Sequence, residues 1–463
     1  MKKLLGITGS LLILLSSCNN LPASPEDSPK NMNETAAADS STFQKTTPDW
    51  SKQATIYEVN IRQYTPEGTI NAFIPHLDRL QKLGVKILWL MPVQPIGVEK
   101  RKGELGSYYS IRNYTAINPE FGTLEDFEKL VEEAHARGFK VILDWVANHT
   151  SFDHSWVYEH TNWYNRDSAG NIVAPVEDWS DVADLNYEAP GMPEAMTQAM
   201  LWWVKKTDID GFRCDMAMMV PLEFWQETRR KLEQEKPVFM LAEAEGPEFH
   251  QGAFDMTYSW EMHHLMNDIA KNEKTVSVLE DYRAKQDSVY DEEDYRMTFT
   301  TNHDENSWQG TVFERMGDNH LNFFVLCATF DQAMPLVYSG QEAGLKHRLE
   351  FFKKDSIDFR DTTFNEFYQK IIALKSSHPA LINGTGQGSF KPMFVDDQHR
   401  IYAYRRVKGP RETVVILNFG DAHTITGLEL EGEYENVMTG KTEMLEAGQS
   451  FAMEANDFLL LQK

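Results

Sequence analysis

The sequence has little cysteine, an excess of one charge sign and no apolar run long enough to span a membrane comfortably. Its three cysteines, Cys18, Cys214 and Cys327, provide no disulfide framework. A total of 45 Lys and Arg against 70 Asp and Glu gives a formal net charge of −25. No basic face is available to neutralise phosphates, so nucleic acid is excluded as a partner. The apolar stretch Leu4 to Leu15 is too short to cross a bilayer as a helix. What remains is an ordinary globular composition in 463 residues, enough for one large domain and a smaller one.

Lys2 and Lys3 precede the stretch Leu4 to Leu15, and Leu15-Ser16-Ser17-Cys18 follows. This reads as a targeting segment and resembles a bacterial lipobox, in which Cys18 would carry lipid. Residues 1–18 are then a signal peptide. Residues 19–48, rich in Ser, Asn, Asp, Pro and Ala, are a disordered tether. The expected location is the cell envelope, lipid-anchored to a bacterial membrane. A plain secretory signal and a membrane helix are the alternatives.

From Trp50 the hydrophobic pattern alternates between strand and helix. Ile70, Phe73, Ile74, Leu77, Leu80 and Leu83 recur at helical spacing, and Gly84 stands where a helix would end. Thr123-Leu-Glu-Asp126 opens a second helix as a capping box. The beat continues to a last helix at Phe364–Ser376, with eight strands predicted in all. It implies an α/β fold, a (β/α)8 TIM barrel over residues 49–378. Residues 149–188 interrupt it after the third strand as a short excursion. After Pro379 the pattern turns to strands, implying an all-β sandwich over residues 379–463.

Polar residues cluster where strands end. The segments are Asp144 to His149, Arg213-Cys-Asp215, Glu243, and Asn302-His303-Asp304. A barrel gathers the C-terminal ends of its strands on one face. Arg213 and Asp215 share one face of their strand, and Cys214 points to the other. A guanidinium beside Asp215 should hold that carboxylate ionised, which suits a nucleophile. Glu243, beside apolar walls, suits a proton donor. Retaining glycosidases need such a pair roughly 5–5.5 Å apart. Asp304 adds a third carboxylate, and His149 and His303 can donate to sugar hydroxyls. Asp144, in a buried run, reads as structural.

In combination these segments resemble the alpha-amylase family, glycoside hydrolase family 13. The resemblance implies Asp215 as nucleophile, Glu243 as acid/base and Asp304 as transition-state stabiliser. Gly106 to Tyr114 resembles the segment after the family's second strand, which implies Tyr109 stacking on the sugar. Val182 to Asn186 and Gly340-Gln-Glu342 resemble two further family segments. The resemblance also implies a structural calcium, with Asn148 and Asp184 as ligands. The sequence departs from the starch-cleaving pattern after Asp215. Met216, Met218 and Met219 stand where a lysine-histidine pair is usual.

The expected function is retaining hydrolysis of α-1,4-glucans or maltooligosaccharides. One alternative is an α-glucan transglycosylase with the same first step. Two others, a lipid-anchored glycan-binding protein and a sugar-transport accessory subunit, would not require all three carboxylates.

Overall fold

The inward and outward parity of eight parallel strands organises the molecule. The computed structural model describes Phe43 and residues 45–463, and residues from 45 onward belong to one compact unit. The lipid site at Cys18 lies outside the described residues, as do the signal peptide and most of the tether. The barrel strands are Ile56–Val59, Ile87–Leu90, Lys140–Val146, Gly211–Asp215, Phe239–Ala242, Met256–Tyr258, Tyr295–Thr298 and Ala333–Tyr338. They close in sequential order, the first pairing with the last in parallel.

Along each strand alternate residues face the barrel axis. Ile56, Ile87, Ile142, Phe239, Tyr295 and Met334 share one buried cluster inside the barrel. Their neighbours Tyr57, Leu88, Leu143 and Met240 belong instead to the larger core beneath the helices. Cys214 is buried in that outer layer, on the face its parity requires.

The expected helices form, with local adjustments. Thr123 and Asp126 make a reciprocal capping box on Leu124–Ala136. Gly84 caps Leu77–Leu83 with φ 95°. The single periodic run from Ile70 is instead Ile70–Phe73 and Leu77–Leu83, joined by a 3-10 turn at Ile74–His76 that contains Pro75. Pro75 lacks an N–H, so the α-helical ladder cannot pass unbroken through it. The pattern does not predict the helix Trp260–Ala270, and it predicts Val278–Val289 as the shorter Ser277–Lys285. Between the fifth and sixth strands only a 3-10 turn, Pro247–His250, intervenes.

The excursion is held by two short antiparallel strands, His149–Ser151 and Val182–Asp184, with His149 opposite Asp184. Beyond the barrel a six-stranded sheet and a two-stranded sheet form a small sandwich. Ile401, Ala403, Val414 and Ile416 pack in its core with Ile425, Phe451 and Met453. The alternate residues Tyr402, Tyr404, Val415 and Leu417 join the barrel's outer core instead. Polar contacts cross the same junction. Asn322 donates to the Asn418 carbonyl at 2.8 Å, and Arg406, 1% exposed, donates to the Phe330 carbonyl at 2.6 Å.

Gly211 fixes how closely the fourth and fifth strands approach. A Cβ there would lie 1.8 Å from the Phe239 carbonyl oxygen. Backbone cannot yield as a flexible side chain can, so Gly211→Ala should destabilise the fold by on the order of 3 kcal/mol. A shift of the urea midpoint at unchanged m-value checks this, and an unchanged midpoint would refute it.

Candidate active site

The barrel's inward positions change chemistry along its axis. Above the apolar layer stand Glu58, Trp89, Asp144, Arg213 and Tyr258, all buried. Asp215 and Glu243 come next, at the C-terminal ends of the fourth and fifth strands. Register pairs Arg213 with Leu241 and Cys214 with Ala242, so Asp215 and Glu243 follow side by side. Neighbouring strands lie roughly 4.8 Å apart, close to the separation retaining chemistry needs.

Arg213 binds these groups together. One terminal nitrogen donates to Asp144 Oδ1 and to Asp215 Oδ1, both at 2.9 Å. The other lies 2.9 Å from Glu243 Oε2 without forming a hydrogen bond. Its Nε donates to the Tyr258 hydroxyl at 3.1 Å. Asp144 also accepts from Trp89 Nε1 and the Tyr109 hydroxyl, each at 3.1 Å. It is wholly buried and anchors the guanidinium.

Burial pushes the Asp215 carboxyl well above the usual carboxylate range. Arg213 opposes the shift, and Glu243 and Asp144 add to it. The net direction is upward, against the expectation from the sequence that the neighbouring guanidinium holds this carboxylate ionised. Strand parity predicts the Arg213 contact but neither the depth of burial nor the charge of Asp144 on the next strand. Neighbouring buried carboxylates resist joint ionisation, which is how Glu243 and Asp144 push Asp215 upward. Glu243 Oε2 accepts from the Met216 N–H at 2.8 Å. Met216 adopts φ 43° there.

The two histidines differ. Burial holds His149 down at about 4, so its ring is neutral at neutral pH. Its Nδ1 faces the Asn148 amide at 3.2 Å. Burial would lower His303 too, but Asp304 and Glu58 raise it to about 9. His303 Nδ1 lies 2.5 Å from Glu58 and its Nε2 lies 2.8 Å from the Tyr109 hydroxyl. Glu58 escapes a reading of the sequence. Its only signal is a lone acidic residue inside the apolar strand Ile56–Val59.

A cleft of about 530 Å³ opens over this layer. Tyr109, His149, Asp215, Glu243, His303 and Asp304 all line it. Arg213 lies beneath, touching Asp215 and Glu243 from the barrel side. Asp304 is the more open carboxylate, its side chain 41% exposed. Trp179, Trp308, Phe351 and Phe352 add an aromatic wall that sequence reasoning misses. The Tyr109 and Phe351 rings lie within 10° of parallel, with centroids 6.4 Å apart. Loop aromatics leave no periodic trace in the sequence.

The family model described as "Alpha amylase, catalytic domain" matches residues 29–179 and 176–380. The chain belongs to the alpha-amylase family. It is 27% identical over 413 residues to Alpha-amylase MalA of Haloarcula japonica, across 85% of this chain. It spans 59% of that relative's length. The crystal structure of an alpha-amylase from Lactobacillus plantarum superposes with TM-score 0.80 and 29% identity, covering 90% of this chain and 100% of the other. That of a noncanonic maltogenic alpha-amylase AmyB from Thermotoga neapolitana gives TM-score 0.80 and 28% identity, over 89% and 99%.

Two family expectations can be set against this alpha-amylase-family cleft. The excursion brings Asn148 and Asp184 near each other, with His149 paired to Asp184 across its two short strands. Asp184 Oδ2 accepts from Asn165 at 2.7 Å and the Asn148 amide nitrogen lies 3.2 Å from His149 Nδ1, which leaves Asn148 Oδ1 and Asp184 Oδ1 as the oxygens that could face a cation. Calcium takes six to eight oxygens, so backbone carbonyls and water would have to complete a site with these two. Of the methionines replacing the lysine-histidine pair, Met216 lines the cleft. Met218 and Met219 are 47% and 37% exposed. Gln341 and Glu342 are structural: Glu342 is wholly buried and accepts from Tyr57 at 2.7 Å and Arg79 at 2.5 Å.

Removing one partner of a buried charged network leaves the others uncompensated. Asp144→Asn should therefore cost about 3 kcal/mol of stability. Chemical denaturation checks it, and an unchanged midpoint would show that Arg213 does not depend on Asp144.

Proposed function

We propose that this chain is a retaining α-glycoside hydrolase acting on α-1,4-glucans or maltooligosaccharides. The observation that carries the reading is the side-by-side placement of Asp215 and Glu243 over one buried guanidinium. Arg213 hydrogen-bonds Asp215 but only approaches Glu243. Asp215, hydrogen-bonded to the guanidinium, is therefore the nucleophile, and Glu243 is the proton donor. The Met216 N–H occupies Glu243 Oε2, leaving Oε1 to carry the proton.

In the first step Asp215 attacks the anomeric carbon and Glu243 protonates the departing glycosidic oxygen. In the second, Glu243 takes a proton from water as the water oxygen displaces Asp215. Asp304 stabilises the positive charge developing at the anomeric carbon. Tyr109 packs an aromatic face against the sugar's C–H face, and His149 and His303 donate to its hydroxyls, His303 through the Nε2–H it shares with the Tyr109 hydroxyl. A sugar hydroxyl in place of water would give transfer rather than hydrolysis, and products from maltotriose separate the two outcomes. The names of relatives, among them a cyclomaltodextrinase from Bacillus sp, support α-glucans as the substrate class. Attachment to a membrane through lipid on Cys18 belongs to the same reading, on sequence pattern alone.

A fluorinated glycosyl donor should trap a covalent sugar on Asp215, located by mass spectrometry. NMR of fresh product should show the α-anomer first. A label on Glu243 or an initial β-anomer would overturn these roles. A calcium ion held by Asn148 and Asp184 would be structural, so EDTA should lower the melting temperature and added calcium should restore it, while the proposed chemistry itself uses no metal. A melting temperature unchanged by EDTA would remove the ion from this reading.

A further inference from the structure

The mechanism above gives no task to Glu58. It is the acidic residue of the first barrel strand, wholly buried, and its Oε2 has no hydrogen-bond partner. Its Oε1 lies 2.5 Å from His303 Nδ1. The hydrogen-bond directions can be followed outward from there. Asp144, engaged by Arg213, is an acceptor only, so the Tyr109 hydroxyl donates its proton to Asp144 at 3.1 Å. Tyr109 has then no proton left for His303, 2.8 Å away, and His303 Nε2 must be the donor. A carboxylate at Nδ1 requires an N–H there as well. Both ring nitrogens carry protons.

We propose that Glu58 is a positioning residue that keeps His303 doubly protonated, fixing its Nε2–H as a donor on the cleft wall and locking the proton order of Tyr109 and Asp144. The groups around the ring support a cation. Glu58 faces it from the first strand and Asp304 from its own segment, 3.4 Å from Nε2. Tyr109 faces it from the loop after the second strand, and Trp89 meets it edge-on. Asp144 on the third strand is reached through Tyr109, and Arg213 on the fourth is the opposing positive charge. The same balance of burial against carboxylates puts the imidazole at about 9.

The consequence reaches the nucleophile. A neutral His303 could accept from Tyr109 through Nε2. Tyr109 would then release Asp144, and Asp144 would draw more on the guanidinium nitrogen it shares with Asp215. Glu58 thereby acts at four removes, through His303, Tyr109, Asp144 and Arg213.

The kinetic arm of the test rests on the proposed hydrolase reading, but the spectroscopic arm does not. The whole protein, labelled with 15N-histidine, is followed by NMR from pH 5 to 9, with His303 assigned by its loss in His303→Gln. Both ring nitrogens should be protonated at pH 7 in the wild type. In Glu58→Gln, an isosteric change, His303 should titrate near or below the ordinary histidine range. With maltotriose, kcat/KM of Glu58→Gln should fall about tenfold further behind wild type for each pH unit through that titration, chiefly in kcat. The gap should narrow at acid pH, where the variant's imidazole is protonated again. An unprotonated Nδ1 in the wild type at pH 7 would place the proton on Glu58 and overturn the proposal. So would an unchanged pH profile in a Glu58→Gln protein with native melting behaviour. If Glu58→Gln does not fold, the wild-type spectrum alone decides. If the chain cleaves no glucan, the spectra still decide about Glu58.

Discussion

One buried guanidinium holds the site together. Arg213 touches Asp144, Asp215 and Glu243, which stand on three successive strands of the barrel. Without it, carboxylates within reach of one another would be buried with no counter-charge, which costs several kcal/mol per ion. The barrel makes the arrangement possible because parity sends every second side chain to the axis. Apolar packing below and polar contacts above are then products of the same alternation. The top layer gives up apolar burial for charge, and the lower layer, from Ile56 to Met334, supplies the packing that offsets it.

The C-terminal sheet divides its faces in the same way. Tyr402 and Tyr404 complete the barrel's outer core, and their neighbours Ile401 and Ala403 build the core of the sandwich. The Tyr404 hydroxyl meets Thr329 at 2.6 Å, at the end of the helix before the last barrel strand. The two regions share buried polar contacts as well as apolar ones, so the junction has a defined geometry and is more than a greasy patch.

Sequence legibility follows periodicity. The eight strands, the capping box at Thr123 and the Arg213-x-Asp215 pair are local patterns, and each is readable from neighbouring residues. The helix Trp260–Ala270 is not, because His263, His264, Asn267 and Asp268 interrupt its apolar pattern. His263 and Asn267 are nonetheless buried, satisfied by each other and by Phe299. The sandwich strands Gly432–Asn436 and Lys441–Leu445 bury few residues and so carry little alternation. Trp308, Phe351 and Phe352 come together only through the fold of loops. Glu58 and Asp144 stand out as polar residues in apolar strands, but their partners lie far off in the chain. The partnership that gives Glu58 meaning spans 245 positions, and no local window contains it.

The cleft is short of positive charge. Asp178, Asp181, Asp215, Glu243 and Asp304 line it, and its basic side chains besides the two histidines reduce to Lys102. Lys102 is already committed, donating to the Asp178 carbonyl and lying 3.8 Å from Asp181. A phosphorylated or carboxylated sugar would bring a further anion into this surplus, where the lining Lys102 is already engaged. A neutral sugar meets no such resistance. The charge of the opening thus favours uncharged hydroxylated molecules over acidic ones before shape comes into play.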